Sequence, residues 1–340
     1  MRRKVLMFVG SRANYGRLMM VIQELVERGH YIDIIAGSYD LPEYKSLVKL
    51  KVDNLMYHDL VPNMVTSTSL VSLATTTYLA NKFGYYDMAV VHADRYENLG
   101  FAVACSYNNV PLLHTEGGEL TGNIDNKVRH AITALADIHC VATVDSYKHI
   151  IAHQKYIVGS PAIDYVKSME LEKNKPTKDY ILVLYNPADN ETVKPLLDAV
   201  MVMSNLHKIK WVNPNFDPGY KKTCFMAHSN KNIEFVKGLS PDEYYKLLYN
   251  SKMLLGNTSS GIKEGSYLGI PYVLVGDRQQ NREVGLNVIK SKMNKTDILF
   301  AIENHFKHGY GAFSRGYFGL FGDGTASEKI VNIIEGGVIS

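Results

Sequence analysis

Cysteine is scarce in this chain of 340 residues: Cys105, Cys140 and Cys224 stand far apart and form no CxxC pair. That excludes a disulfide scaffold and the usual zinc spacings. It suits a reducing compartment, so a cytoplasmic location is expected. An excess of one charge is also missing. The 37 basic residues face 34 acidic ones, a net of +3 that gives no reason to expect nucleic acid. No apolar run reaches the about 20 residues that a membrane-spanning helix needs. Neither nucleic acid nor a bilayer is therefore an expected partner. The start, Met1-Arg-Arg-Lys-Val-Leu-Met-Phe-Val-Gly10, has the outline of a signal peptide, but its apolar part is short and ends in Gly-Ser-Arg. It reads instead as a first buried strand. Tryptophan occurs once, at Trp211, and the 23 tyrosines read as packing rather than stacking platforms.

What is present is alternation. Apolar residues make up 46% of a chain long enough for two domains. Strands are predicted at Val5–Val9, Tyr31–Ala36, Met88–His92, Pro111–His114, Ile138–Ala142 and Lys155–Val158. Gly10–Arg17 reads as a loop, and Leu18–Arg28, Asn98–Tyr107 and Lys127–Ala136 as helices. The charged stretch Lys167–Asp179 reads as a linker, after which the pattern restarts. Strands follow at Tyr180–Tyr185, Lys208–Val212, Ile233–Phe235, Met253–Leu255 and Tyr272–Val275, with helices at Val193–Asn205, Pro241–Asn250 and Ser260–Leu268. Gly309–Gly324 reads as a long connection and Ala326–Ile334 as a closing helix. Such alternation predicts an α/β chain with two Rossmann-like, doubly wound lobes and a central cleft. The expected divisions are residues 1–166, a linker 167–179, a second lobe 180–312 and a returning segment 313–340.

Four strand ends carry residues suited to chemistry. The densest is His114-Thr-Glu-Gly-Gly-Glu-Leu-Thr-Gly-Asn-Ile-Asp-Asn-Lys-Val-Arg129, which packs Glu116, Glu119, Asp125 and Arg129 around glycines. Acids at a strand end of an open α/β sheet are costly unless paired or used. Asp125 and Arg129 are four apart and share a helix face, so they also read as a helix-start ion pair. Gly10-Ser-Arg-Ala-Asn-Tyr-Gly-Arg17 offers a tight turn, a helix N-terminus and two arginines, Arg12 and Arg17, for a diphosphate. It reads equally as an ordinary turn with solvated arginines. It is not GxGxxG, and no acid closes the second strand, which disfavours NAD. His92-Ala-Asp-Arg95 places an Asp94–Arg95 pair at a strand end, where it serves a ligand or merely caps a helix. Gly256-Asn-Thr-Ser-Ser-Gly-Ile-Lys-Glu264 reads as an anion nest with an acid for ribose hydroxyls, or as a plain N-cap run. In Gly276-Asp-Arg-Gln-Gln-Asn-Arg-Glu283, Arg278 or Arg282 can reach phosphate or stay solvated. His114-Thr-Glu116 lacks the P-C-x-x-C that a zinc deaminase needs, so no metal is expected.

In order, these motifs resemble the UDP-N-acetylglucosamine 2-epimerase family, most of all its hydrolysing branch, which serves sialic acid and related nonulosonate synthesis. The resemblance runs from Gly10 almost to the end, and its most specific pieces are HTEGGELTGNIDNKVRHAI, GNTSSGIKE, GDRQQNRE and FGDGTASEKI. It implies a glycosyltransferase-B-type fold with the last helix returning to the first lobe. It implies no cofactor and no metal. The family's catalytic acids fall on Asp94, Glu116 and Asp125. Its UDP contacts fall on Arg12, Arg95, Asn215, Thr258, Ser259, Glu264 and Arg278, and Arg17, Arg129, Asn186, Ser260 and Gly261 join them as candidate substrate or UDP contacts. Arg12 and Arg95 would face phosphate, and Glu264 the ribose. The implied partners are a nucleotide sugar and UDP, in a homodimer or homotetramer. Two positions depart from the family pattern. Ala93 stands where His-Gly-Asp-Arg is usual, and Asn186-Pro187 where His-Pro is usual. Asparagine can donate a hydrogen bond but cannot carry a proton or a positive charge.

Overall fold

Val5-Leu-Met-Phe-Val9 is apolar at every position, which suits a parallel strand covered on both faces. The computed structural model shows why: Val5, Met7 and Val9 enter one core, Leu6 and Phe8 another, and all five are fully buried. It describes residues 1–340 except 11, 39–51, 60–62, 83, 123, 188–191, 214–231, 238, 309–318 and 338–340, with the backbone alone at 12, 13, 38, 57–59 and 308.

Contacts divide the chain into two units, Met1–Tyr165 with Phe321–Ser340, and Val166–Leu320. Among its described residues the first holds seven strands: β1 (Lys4–Val9), β2 (Tyr31–Ser38), β3 (Asn54–Asp59), β4 (Met88–His92), β5 (Leu112–Thr115), β6 (Ile138–Val141) and β7 (Lys155–Ile157). They are ordered β3-β2-β1-β4-β5-β6-β7, all parallel. Its helices are α1 (Arg12–Glu27), α2 (Met64–Leu79), α3 (Tyr96–Tyr107), α4 (Ile124–Leu135) and α5 (Val144–Lys148), and α6 (Pro161–Ser168) begins in it and crosses the boundary at Tyr165. The second unit is built on β8 (Tyr180–Leu184), β9 (Lys208–Val212), β10 (Ile233–Val236), β11 (Ser251–Gly256), β12 (Tyr272–Val275) and β13 (Val288–Ser291). Their order is β10-β9-β8-β11-β12-β13, again parallel throughout. Its helices are α7 (Lys194–Met203), α8 (Pro241–Asn250), the short turns α9 (Ser259–Ile262) and α10 (Glu264–Tyr267), and α11 (Lys295–His308). Each sheet reverses its strand order once, between β1 and β4 and between β8 and β11. Ligands of open α/β sheets bind beyond the strand ends at such points.

A last helix, α12 (Ala326–Ile334), belongs to the first unit. Its apolar stripe, Ile330, Val331, Ile333 and Ile334, joins the core beneath α1. The Asp164 carboxylate on α6 accepts from the Ala326 (3.1 Å) and Ser327 (2.5 Å) N–H groups, capping α12 from 162 residues away.

Several sequence expectations need correction. The loop expected over Gly10–Arg17 is helical from Arg12, because Asn14 and Tyr15 are buried and Tyr15 enters the core, so packing overrides weak propensity. The single helix expected over Ser260–Leu268 is two turns interrupted at fully buried Lys263. The sequence reading passed over β3, α2, α5, α6, β13 and α11. In α2 the buried residues are Ser67, Val71, Thr75 and Leu79, a stripe half hydroxyl that carries little amphipathic signal. Cys224 and most of Gly309–Gly324 lie outside the described residues. Among the described residues no helix is long and apolar enough to cross a membrane.

Candidate active site

In the first unit, two neighbouring strands end in the same unusual way. Ala93 follows β4 at φ 59° and Glu116 follows β5 at φ 58°, both left-handed. Their N–H groups continue the ladder, Ala93 to Thr115 O and Glu116 to Cys140 O, each at 2.9 Å. Left-handed backbone costs a residue with a Cβ about 1–2 kcal/mol. It is held here by the strands on either side. Position 93, usually glycine in the family pattern, is thus one where glycine relieves strain.

Glu116 is 1% exposed, yet three polar groups meet its carboxyl. Ser160 Oγ donates to Oε1. Arg17 Nη1 lies 3.3 Å from Oε2, and His92 Nε2 lies 3.5 Å from that same oxygen. Ser160 is set by its own N–H, which donates to Phe321 O at 2.7 Å, so the returning chain reaches the acid's support. Asp94, with 21% of its side chain exposed, bonds fully buried Arg129 through Nη2. Arg129 Nη1 also donates to Glu119 O and to Asn126 Oδ1 (3.3 Å). Burial alone would lower the Arg129 pKa, but Asp94, Glu119 and Asp125 raise it on balance, so it stays a cation. Asp125 lies in the first turn of α4, half-buried.

The Arg pairings differ from those expected. Arg129 bonds Asp94 rather than closing an ion pair with Asp125. Arg95 forks onto buried Glu97, Nε to Oε2 at 3.0 Å and Nη2 to Oε1 at 2.9 Å. Arginine favours such two-pronged geometry, and α3 presents Glu97 two residues on.

Beneath the acids, His114 ties the turns together. Its Nε2 lies 2.9 Å from Ala93 O and its Nδ1 3.2 Å from Thr133 Oγ1. Burial pushes its pKa down to about 3, which keeps the ring neutral. A Cβ on Gly117 would press on this ring, and one on Gly118 (φ 77°) would overlap Ser146 O. The two glycines are the condition for the turn that carries Glu116.

In the second unit the strand ends carry hydroxyls and amides. Gly256 closes β11 at φ 145°, so near Leu184 that a Cβ would overlap the Leu184 carbonyl. Asn257 then clamps the neighbouring strand end: its Oδ1 accepts from Asn186 N and its Nδ2 donates to Asn186 O, both at 2.7 Å. Residue 186 is held by its backbone whatever its side chain. Thr258 caps α9 by accepting from Ser260 N at 3.3 Å, and its Oγ1 lies 3.0 Å from Ser260 Oγ. Helix α8 starts at a Ser240–Glu243 capping box with Pro241 in its first turn, and supplies two tyrosines. Tyr244 OH meets Ser260 Oγ, and Tyr245 OH donates to Glu264 Oε1 at 2.8 Å. Glu264 is 1% exposed. Gly261 packs under the Tyr272 ring, whose hydroxyl reaches Thr258 O at 2.9 Å. Burial, and then Tyr244, raise the Tyr272 pKa well above its ordinary value, while the charges of Arg278 and Arg282 pull the other way. Arg278 and Ser259 are half-buried.

Asp94, Glu116, Asp125, Arg17, Arg95 and Arg129 therefore lie in the first unit, about the ends of β4 and β5. Asn186, Thr258, Ser259, Ser260, Gly261, Glu264 and Arg278 lie in the second, about β8, β11 and β12. The Arg12 side chain and Asn215 fall outside the described residues. The sequence reading missed Ser160 and Tyr245, and quoted His92 and Asn257 without a role. Their signal was position alone, each just beyond a strand or on a helix facing one. Among the described residues no cluster of three or more His, Cys, Asp or Glu suits a metal ion.

Two all-parallel α/β lobes with polar strand ends at each switch point define a glycosyltransferase-B-like protein. The Neisseria meningitidis UDP-GlcNAc 2-epimerase bound to UDP-GlcNAc superposes with a TM-score of 0.83 at 18% identity, covering 98% of this chain and 100% of that one. The Methanocaldococcus jannaschii UDP-GlcNAc 2-epimerase in complex with UDP-GlcNAc and UDP gives 0.83 at 19%, with the same coverage. The family model for UDP-N-acetylglucosamine 2-epimerase matches residues 42–335, and the chain belongs to that family. In sequence it is similar to the polysialic acid biosynthesis protein P7 of Escherichia coli, 27% identical over 88% of this chain and 85% of that protein. It is also similar to the hydrolysing UDP-N,N'-diacetylbacillosamine 2-epimerase of Legionella pneumophila, 27% identical over 98% and 96%.

Proposed function

We propose that this chain is a hydrolysing UDP-N-acetylglucosamine 2-epimerase of the cytoplasm, converting UDP-N-acetylglucosamine and water to N-acetylmannosamine and UDP. The observation that carries the reading is Glu116, a carboxyl 1% exposed at a strand end in a member of this family, met by Arg17, His92 and Ser160. The sugar's C2 hydrogen is not next to a carbonyl, so direct deprotonation is disfavoured and elimination is the supported route. A carboxylate takes the C2 proton. The C2–H electron pair becomes the C1=C2 bond, and the C1–O pair leaves with UDP. Water then adds at C1 while an acid delivers a proton to C2 from the opposite face. Asp94, Glu116 and Asp125 are the acids of the first unit, with Arg129 holding Asp94. Arg12, Arg17 and Arg95 face the diphosphate. In the second unit Asn186, Asn215, Thr258, Ser259, Ser260, Gly261 and Arg278 receive UDP, and Glu264 its ribose. Donors at phosphate stabilise the departing charge. No step needs a metal or nicotinamide. Residues 1–166 and 313–340 form the acid-bearing lobe and 180–312 the UDP lobe, in a homodimer or homotetramer.

Proton NMR in deuterated water tests the reaction. UDP released together with N-acetylmannosamine deuterated at C2 supports it. A UDP-sugar that equilibrates at C2 without UDP release indicates non-hydrolysing epimerisation instead. A second substrate, UDP-N,N'-diacetylbacillosamine, is favoured by the Legionella pneumophila relative, which spans 98% of the chain. Comparing kcat/KM for the two sugars decides between them.

A further inference from the structure

The elimination leaves a proton that the second step does not consume. Rehydration of the glycal takes both its hydrogens, one at C2 and one at the C1 hydroxyl, from a single water and an acid that this water recharges. The proton first taken from C2 must therefore be held or released. Glu116 is poorly placed to hold it alone, because Arg17 at 3.3 Å and the Ser160 hydroxyl both favour its ionised form. Ser160 Oγ also accepts from Ala162 N at 3.4 Å, which leaves its own hydrogen for Glu116.

His92 supplies a second resting place. Its ring is 1% exposed, with Nδ1 2.8 Å from Thr115 Oγ1 and Nε2 3.5 Å from Glu116 Oε2. Thr115 donates its hydroxyl hydrogen to Val91 O at 3.4 Å, so its oxygen accepts from His92 Nδ1. In the tautomer this pairing favours, Nδ1 carries the ring hydrogen and the basic nitrogen Nε2 faces Glu116 Oε2. Arg17 from α1 shares Glu116 Oε2 with His92, and His114 from β5 lies within electrostatic reach of the His92 ring.

We propose that His92 is the proton-holding and positioning residue of Glu116: the proton that Glu116 takes from the sugar's C2 passes from Oε2 to His92 Nε2, which restores the carboxylate beside Arg17. Only the proton moves in this step, with one O–H bond broken and one N–H bond formed; once UDP has departed it returns to Glu116 Oε2 and passes from there to a water that enters the site, which carries it away as hydronium. The inference rests on the elimination reading above.

Its test is His92→Gln, whose amide nitrogen can bond Glu116 but cannot accept a proton, beside His92→Asn, which keeps the donor toward Thr115. Both variants are expected to bind UDP within about threefold of wild type, to keep KM within about threefold, and to lose about 100-fold in kcat. The acid limb of the kcat profile, which belongs to the coupled pair, moves to lower pH. Wild-type kcat and an unmoved acid limb in His92→Gln overturn the proposal. So does full activity in His92→Gln with loss in His92→Asn, which marks a structural role. The pair is also read without turnover, by the ¹⁵N shifts of His92 in the ligand-free protein. Glu116→Gln removes the facing negative charge and is expected to make Nε2 protonate at lower pH. A His92 titration that ignores Glu116→Gln refutes the pair. If wild type neither releases UDP nor exchanges C2 hydrogen, the reaction reading fails, and the ¹⁵N measurement still decides whether His92 and Glu116 share a proton.

Discussion

The two sheets share one strand order about their switch points, yet their strand ends differ in kind. In the first unit acids meet cations: buried Glu116 faces Arg17, half-buried Asp94 faces Arg129, and buried Glu97 faces Arg95. In the second, hydroxyls and amides stand out: Asn257 clamps residue 186, Thr258 and Ser260 sit at the start of α9, and the Tyr245 hydroxyl donates to Glu264. Topology sets where a ligand binds, and side chains set what is done to it. Acids with charged partners suit proton transfer. Neutral donors at a helix start suit an anion that must enter and leave.

That contrast can be broken by substitution. The largest effect is expected for Arg129→Leu. It leaves Asp94 without its buried cation and should cost about 3–5 kcal/mol, read as a fall in the urea midpoint of the first unit. Retention of wild-type stability would show that the ion pair is not structural. Next, Glu116→Gln should lower kcat about 100-fold or more while calorimetric UDP affinity stays within about threefold. Near-normal turnover removes Glu116 from the chemistry.

His114 gives the comparison a pH dependence. Its folded pKa of about 3 lies below the ordinary value of 6.5, so the unfolded chain binds more protons between those values. Its contribution is complete above pH 6.5 and is lost as pH falls toward 3. At pH 5 the loss is about 2 kcal/mol. His114→Gln should flatten that part of the stability–pH curve, and an unchanged curve would refute the neutral buried ring.

Smaller effects test the second unit and the strained turn. Glu264→Gln is expected to weaken UDP about tenfold, about 1.4 kcal/mol, with kcat almost unmoved. A kcat collapse like that of Glu116→Gln would erase the division between the units. Ala93→Gly relieves the left-handed turn but adds unfolded-state entropy, so a gain below about 1 kcal/mol is expected by thermal melting.

Much of the fold was legible because buried parallel strands are written as local apolar runs. Val5–Val9, Met88–His92 and Tyr272–Val275 announce themselves, as does the stripe of α12. Helix α2, with its hydroxyl-bearing buried stripe, did not. Single residues also told of the site. Glu116, Asp125 and Glu264 stood out as acids near glycines after strands, and Asp94 as the partner of Arg95, while the family resemblance supplied their expected roles.

By itself, then, the sequence determined the α/β alternation, the polar strand ends and the family, since all three rest on residues close together in the chain. Only the tertiary structure decided the partners. Arg129 reaches past Asp125 to Asp94, Ser160 reaches back to Glu116, and Asn257 reaches across to residue 186, over separations of 35, 44 and 71 residues. Such contacts leave no periodic trace, because parallel strands bring their ends together only after the whole crossover has folded. The left-handed turns at Ala93 and Glu116 belong to the same class, since neighbouring strands impose them on residues that would not adopt them alone.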